Sequence, residues 1–135
     1  MKIVNKLLRY KNPLIFFQIV GAALKISFVS FKKGPSAALA LIPAVSANAK
    51  KTDRSKDRDK IIRYVNLYFF IKKRLGIGYT CLERSILLCY MLRKSGIKAE
   101  IDFGAKKTNG KLEGHCWLSQ DRSQAKRYQT IFRYP

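Results

Sequence analysis

Acidic residues are scarce in this chain. Its 135 residues include 8 Asp and Glu against 28 Lys and Arg, which gives a formal net charge of +20 and a pI near 10.2. Chemistry built on paired carboxylates therefore starts with few candidates. Histidine is scarcer still, because His115 is the only one. Cysteine occurs three times, at Cys81, Cys89 and Cys116, an odd count with no CxxC pair. A closed four-ligand zinc site would need all three cysteines and His115, at spacings of 8, 26 and 1. Those spacings fit no zinc framework, so we expect neither a metal nor a cofactor. A disulfide scaffold is equally poorly supported. Free thiols in a reducing compartment, and hence a cytoplasmic chain, are the expectation.

Long uninterrupted apolar runs are also missing. The run over 14–24 is broken by Gln18 and stopped by Lys25, and eleven residues are too few to span a bilayer. Residues 37–49 resemble a signal-peptide core ending in a small-residue cleavage motif, Ala47-Asn48-Ala49. The stretch before it is too long for the basic leader of a signal peptide, so a small-residue helix packed on the domain is the simpler reading.

What is present suits one small domain. Hydrophobic residues make up 47% of the chain and charged residues 27%, enough to bury a core. Residues 1–49 carry seven bases and no acid, and form a basic, apolar, helical segment. Residues 50–135 hold the remaining pattern, and the two parts are expected to make one compact domain. Residues 1–12 read as a short basic helix, 13–32 as a second helix stopped by Gly34-Pro35, and 36–48 as a third, weakened by Pro43. The polar stretch 49–60 reads as a linker or the solvated start of a helix. Helical spacing then runs from Asp57 to Leu75 through Ile61, Ile62, Val65, Tyr68 and Phe69, and Gly76 and Gly78 end it.

Thr80-Cys81-Leu82-Glu83 is a T-x-x-E capping box that opens the next helix, which Gly96 closes. Residues 86–92 of that helix are apolar all round, the mark of a helix buried at the centre of a fold. After Gly96 the period changes to two. Ile97, Ala99, Ile101 and Phe103 alternate with Lys98, Glu100, Asp102 and Gly104, and Asn109-Gly110 marks a hairpin. Residues 111–118 form the second strand and 126–134 a third, with Tyr128, Thr130 and Phe132 on one side. The expected fold is α+β: N-terminal helices, a buried helix carrying Cys81, then a three-stranded antiparallel meander.

Cys81 in the first turn of a capped helix stands where free amides and the helix dipole favour a thiolate. His115, beside Trp117 on the second strand, is a candidate general base. The bland alternatives are a small buried hydrophobe and a satisfied structural histidine. Cys89 and Cys116 are expected to be packing residues, Cys116 because it points to the face opposite His115. A cysteine opening a buried helix, followed by a strand bearing histidine, is the papain-like arrangement in outline.

The chain resembles the leader peptidases of lasso-peptide biosynthesis, which are part of the transglutaminase-like superfamily. The resemblance rests on Thr80-Cys81-Leu82-Glu83-Arg84-Ser85, Leu92-Arg93-Lys94-Ser95-Gly96-Ile97, Phe103-Gly104-Ala105 and His115-Cys116-Trp117-Leu118, which follow the family patterns C-L-x-R-S, L-R-x-x-G-I, x-G-V and H-A-W-V in order. It implies a cysteine peptidase of the Cys-His-Asp type that removes the leader from a ribosomal precursor peptide. The implied partners are that precursor, a small leader-recognition protein and an ATP-dependent lasso cyclase. Two positions depart from the pattern. Ser119 stands where the family has an acid, and no acid follows His115 at the expected place. Asp121 is the only acid downstream, about 20 Å away along a regular strand. Gln129 is its rival, as a neutral amide able to orient the imidazole. Without a clear triad Asp, an impaired enzyme is one expectation. The alternative function is a basic, non-enzymatic protein that binds nucleic acid or a membrane, with weak membrane contact through the aromatic residues of 1–33. For nucleic acid the charge stands alone, with no supporting motif.

Overall fold

The computed structural model describes residues 13–43, 55–119 and 126–134. The basic helix expected over 1–12, most of the polar stretch before residue 55, the Ala47–Ala49 motif and Asp121 lie outside these residues. Two helices open on a proline, α1 (Pro13–Lys33) and α2 (Pro35–Ala40), and Gly34 turns the chain between them with a φ of 88°. α2 is shorter than the 36–48 segment expected, ending three residues before Pro43. α3 (Ser55–Arg74) and α4 (Cys81–Lys94) follow the periodicity closely.

Both α3 and α4 stop in the same way. Gly76 and Gly96 take left-handed φ angles of 74° and 76°. The amides that follow fold back, Ile77 to the Lys72 carbonyl at 3.0 Å and Ile97 to the Leu92 carbonyl at 2.9 Å. This is the Schellman arrangement, which satisfies carbonyls that the helix end would otherwise orphan. The buried Arg93 adds a clamp, donating to the Ala99 carbonyl at 2.7 Å and the Pro43 carbonyl at 3.1 Å.

One core joins the helices to the sheet. Ile19 and Ile26 of α1, Val65 of α3, Leu87 and Leu92 of α4 and Ile101 are all essentially inaccessible and belong to one cluster. α1 contributes a narrow face to it, Ile19, Ala22, Ala23 and Ile26. As the 13–32 reading expected, the helix continues past Lys25, where the first apolar run ends. It runs on through Ile26–Phe31, so that Leu14–Lys33, with a mean hydropathy of 1.9, is long and apolar enough to cross a membrane by length and composition. The expectation that this region is too short to span a bilayer is revised on that count alone.

β1 (Ile101–Thr108) and β2 (Lys111–Leu118) form the expected hairpin, in which Asn109 and Gly110 adopt φ angles of 51° and 79°, but β1 begins at Ile101, four residues later than the alternation from Ile97 predicts. β3 (Gln129–Tyr134) completes an antiparallel sheet of order β2-β1-β3. The α+β class holds, but the strands do not run in meander order. β3 crosses back to pair with β1 instead of β2. The central strand is the one with partners to offer on both sides: Asp102 lies opposite Trp117 on β2 and opposite Arg133 on β3. A bulge between Phe103 and Gly104 puts Phe103 opposite Phe132 and Gly104 opposite Thr130. The extra residue on β3 breaks the simple alternation expected for Thr130 and Phe132.

Candidate active site

Thr80 caps α4 as its sequence predicts, its hydroxyl accepting from the Glu83 amide at 3.2 Å. Only half of the capping box forms. The Glu83 carboxylate turns away from the cap, pairs with the Lys72 ammonium and accepts from the Ser27 hydroxyl at 3.3 Å. One acid thus ties α4 to α3 and α1, and a second tie runs from Arg84 to the Asn66 side chain at 2.7 Å. Cys81 is the first residue of this braced helix. The Arg84 amide is taken by the Thr80 carbonyl at 3.2 Å. The Cys81 and Leu82 amides have no acceptor among the described residues, so two donors stand free beside the thiol.

The sheet presents different chemistry on its two faces. Ile101, Phe103, Cys116 and Leu118 face the helices and belong to, or pack against, the common core. Alternation sends Asp102, Gly104, His115 and Trp117 to the other face. The group touching Cys81 is therefore Cys116, with the two Sγ atoms 3.5 Å apart. Burial, followed by the neighbouring Cys81, pushes the Cys116 thiol up to about 12. At neutral pH Cys116 keeps its proton and donates it towards the Cys81 sulfur. Cys116 packs in the core as expected and is, in addition, the immediate neighbour of the candidate nucleophile. Cys89 is packing as expected, fully buried, and burial pushes its thiol up to about 11.

His115 stacks on Tyr128, ring centroids 4.8 Å apart, and on Trp117 at 6.0 Å. No described carboxylate or amide hydrogen-bonds its imidazole, and no hydrogen bond joins it to Cys81. Both residues nevertheless border one cavity of about 320 Å³, together with Arg58, Arg84, Ser85 and Cys116. Among the described residues β2 is an edge strand, with no strand paired to its outer side.

The placing of the third group is corrected in one respect. Gln129 begins β3 opposite Ala105 on β1, with β1 between it and β2, so it does not face His115 across a ladder. Tyr128, just before β3, is the residue from that region that reaches the imidazole. Asp121 lies outside the described residues.

A carboxylate that the alternation pattern assigned to solvent proves to be buried. Asp102 is 2% exposed. It accepts from Arg133 at 2.6 Å and 3.2 Å and from the Ser119 hydroxyl at 2.9 Å. It shares the face of His115, but Arg133 and Ser119 hold it. The Arg133 guanidinium is in turn held further towards its charged form by that carboxylate. The signal for this burial was Trp117, which sits directly opposite Asp102: a face that carries a tryptophan has to be covered. Gly104 makes the cover possible. A Cβ there would lie 2.5 Å from the Trp117 ring and 2.6 Å from the Gln129 carbonyl oxygen.

No curated protein and no solved structure matches the chain significantly. A family model does match, over residues 23–131, from the middle of α1 to within β3. The match spans well over half of the chain and takes in the capped cysteine, both strands of the hairpin and the lone histidine. The chain therefore belongs to the transglutaminase-like superfamily.

Proposed function

We propose that this protein is a cysteine peptidase that removes the leader from a ribosomally made lasso precursor peptide, with Cys81 as nucleophile and His115 as general base. The observation that carries the reading is the position of Cys81: first residue of a capped, braced helix, beside two free amides, on the wall of a cavity that His115 also borders. His115 takes the thiol proton, and the sulfur forms a bond to the scissile carbonyl carbon. The carbonyl oxygen gains the negative charge and is held by the Cys81 and Leu82 amides. The imidazolium then protonates the leaving amine, and water, deprotonated by the same imidazole, hydrolyses the thioester.

This chemistry requires the imidazole to leave its stack with Tyr128 and turn round the outer edge of β2 into the shared cavity. Bound peptide supplies the reason to do so, because catalytic hydrogen bonds often close only around substrate. Asp121 is the acid we assign to orient the ring in that state. In this reading the chain works in the reducing cytoplasm. A small leader-recognition protein presents the leader, and the ATP-dependent lasso cyclase consumes the product.

The test is cleavage of a synthetic lasso precursor peptide by the full chain, followed by mass spectrometry. Cys81→Ala and His115→Ala should each lose about two orders of magnitude or more in rate, with unchanged circular dichroism. Iodoacetamide should block the wild type in parallel with alkylation of Cys81. Cleavage by Cys81→Ala at the wild-type rate would end the peptidase reading.

A further inference from the structure

α1 is apolar on two sides, and only one is covered. The buried side is Ile19, Ala22, Ala23 and Ile26. On the other side Leu14, Phe17, Leu24, Phe28 and Phe31 are 60–92% exposed. Gly21 completes the row, in open space with nothing within 4 Å of where a Cβ would stand. Positions 14, 17, 21, 24, 28 and 31 alternate steps of three and four. That spacing is the seam by which one helix packs along another. A groove of about 430 Å³ runs beside the seam, where Phe16, Val20 and Leu24 face Tyr68, Leu75 and Ile77 at the end of α3. Leu75 and Ile77 are themselves mostly exposed.

The charge around this surface has one sign. Lys25, Lys32 and Lys33 lie along α1, which has no acid, and Lys73 and Arg74 end α3. Lys32 lies over the Phe28 ring at 4.7 Å, at the margin of the seam. The nearby Glu83 is already engaged by Lys72 and Ser27.

We propose that this seam and groove dock an amphipathic helix of a partner protein, apolar along one stripe and acidic beside it. Its apolar side chains would fill the groove, and its carboxylates would meet Lys25 and Lys32. A second copy of the chain is disfavoured, because its α1 brings the same bases and no acid. A bilayer surface is disfavoured because a flat hydrocarbon boundary leaves the groove unfilled. The far end of the seam has a further consequence. Phe31 borders another cavity, of about 280 Å³, together with Thr80 and Leu82, the residues on either side of Cys81. A docked helix would therefore end beside the candidate nucleophile. The proposal concerns binding and does not depend on the peptidase reading.

The experiment is fluorescence anisotropy with the full chain and a labelled synthetic helix of about three heptads, leucines at the seam positions and glutamates flanking them. Saturable binding is expected. The combined change Phe17→Ser, Phe28→Ser and Phe31→Ser should weaken it by about tenfold or more, since central aromatic anchors carry most of such contacts. Lys25→Glu with Lys32→Glu should weaken it by a smaller factor and change its dependence on salt. All five positions are exposed or at the surface, and an unchanged melting temperature checks each variant. No binding of the glutamate peptide, or equal binding of the same peptide with lysines in place of glutamates, overturns the proposal. So does stripe-dependent sedimentation with phosphatidylglycerol vesicles in place of peptide binding, which would assign the face to lipid. Stripe-dependent dimerisation in analytical ultracentrifugation would assign it to a second copy and overturn the proposal equally.

Discussion

α1 and α4 carry the same signal in sequence and meet different fates in the fold. Both are apolar all round over much of their length. α4 is enclosed, with Ile86, Leu87, Leu88, Cys89, Met91 and Leu92 all buried between α1, α3 and the sheet. α1 buries a stripe of small and β-branched residues and leaves its largest side chains in water, with Phe31 92% exposed. An apolar helix is thus not by itself a central helix. What decides is whether enough neighbours exist to cover it, and a domain of this size has one sheet and one helical layer to offer. α4 took the centre, and α1 was left half covered.

The largest expected difference between the two helices is in what truncation costs. Leu92 is fully buried at the junction of α4 and the sheet. Leu92→Ala should cost about 2–5 kcal/mol, the lost transfer energy plus a cavity. Phe28→Ala removes a larger side chain from α1, but one that is 60% exposed, and should cost less than about 0.5 kcal/mol. Urea unfolding of both variants checks the contrast. A large loss for Phe28→Ala in the isolated chain would mean that the outer face is covered after all.

The elements of the core region were legible because local rules and tertiary contacts agree there. Thr80, Gly76, Gly96 and Asn109-Gly110 each act through backbone geometry that a few residues fix, and the helix limits and the hairpin turn fall close to them, although β1 starts only at Ile101. The strand order was not legible. Nothing local says whether β3 returns to β1 or β2, and that choice rests on contacts such as Arg133 with Asp102. The site was half legible. Cys81 at a helix start follows from the cap, and the opposed directions of His115 and Cys116 follow from alternation. Which of the two faces α4 depends on how the sheet packs, and that depends on long-range contacts.

A second contrast sets two glycines against each other, one in each region. Gly104 lies under the Trp117 ring and against the Gln129 carbonyl, with room for no Cβ. The backbone carbonyl cannot move aside cheaply, and displacing Trp117 uncovers Asp102. Gly104→Ala should therefore destabilise by about 1–3 kcal/mol. It should also disturb the His115–Tyr128–Trp117 stack, readable as a change in tryptophan fluorescence. A neutral Gly104→Ala would show that the Trp117 cover is loose.

The buried thiols give the core region a pH limit that α1, which has no cysteine, does not share. Cys89 and Cys116 rise from an ordinary thiol value of 9.0 to about 11 and about 12, with burial the main cause. Below pH 9 both the folded and the unfolded chain keep these protons, and the stabilisation is fully present. As the pH climbs past 9 the unfolded thiols ionise while the folded ones cannot, so stability falls until the folded values are reached. Denaturation midpoints taken from about pH 8 to about pH 10.5 should decline, and Cys89→Ala should decline less steeply. Parallel slopes would remove Cys89 from this account.

The smallest effect has the opposite sign. Gly21 sits in the middle of α1 on the exposed seam, and a Cβ there would touch nothing within 4 Å. Glycine inside a helix costs conformational entropy that alanine does not, and no contact offsets that cost here. Gly21→Ala should stabilise the isolated chain by about 0.5–1 kcal/mol, acting mainly on the unfolded state. The same methyl group projects into the face proposed to receive an acidic helix, between Phe17 on one side and Leu24 and Phe28 on the other. A small residue at that point lets a partner backbone come close, and larger side chains would hold it off. Gly21→Leu therefore separates folding from docking: it should keep the gain in stability and lose affinity for the glutamate peptide. If Gly21→Leu binds that peptide as well as wild type, close approach at the middle of the seam plays no part in docking, and any partner is held by the phenylalanines at the two ends.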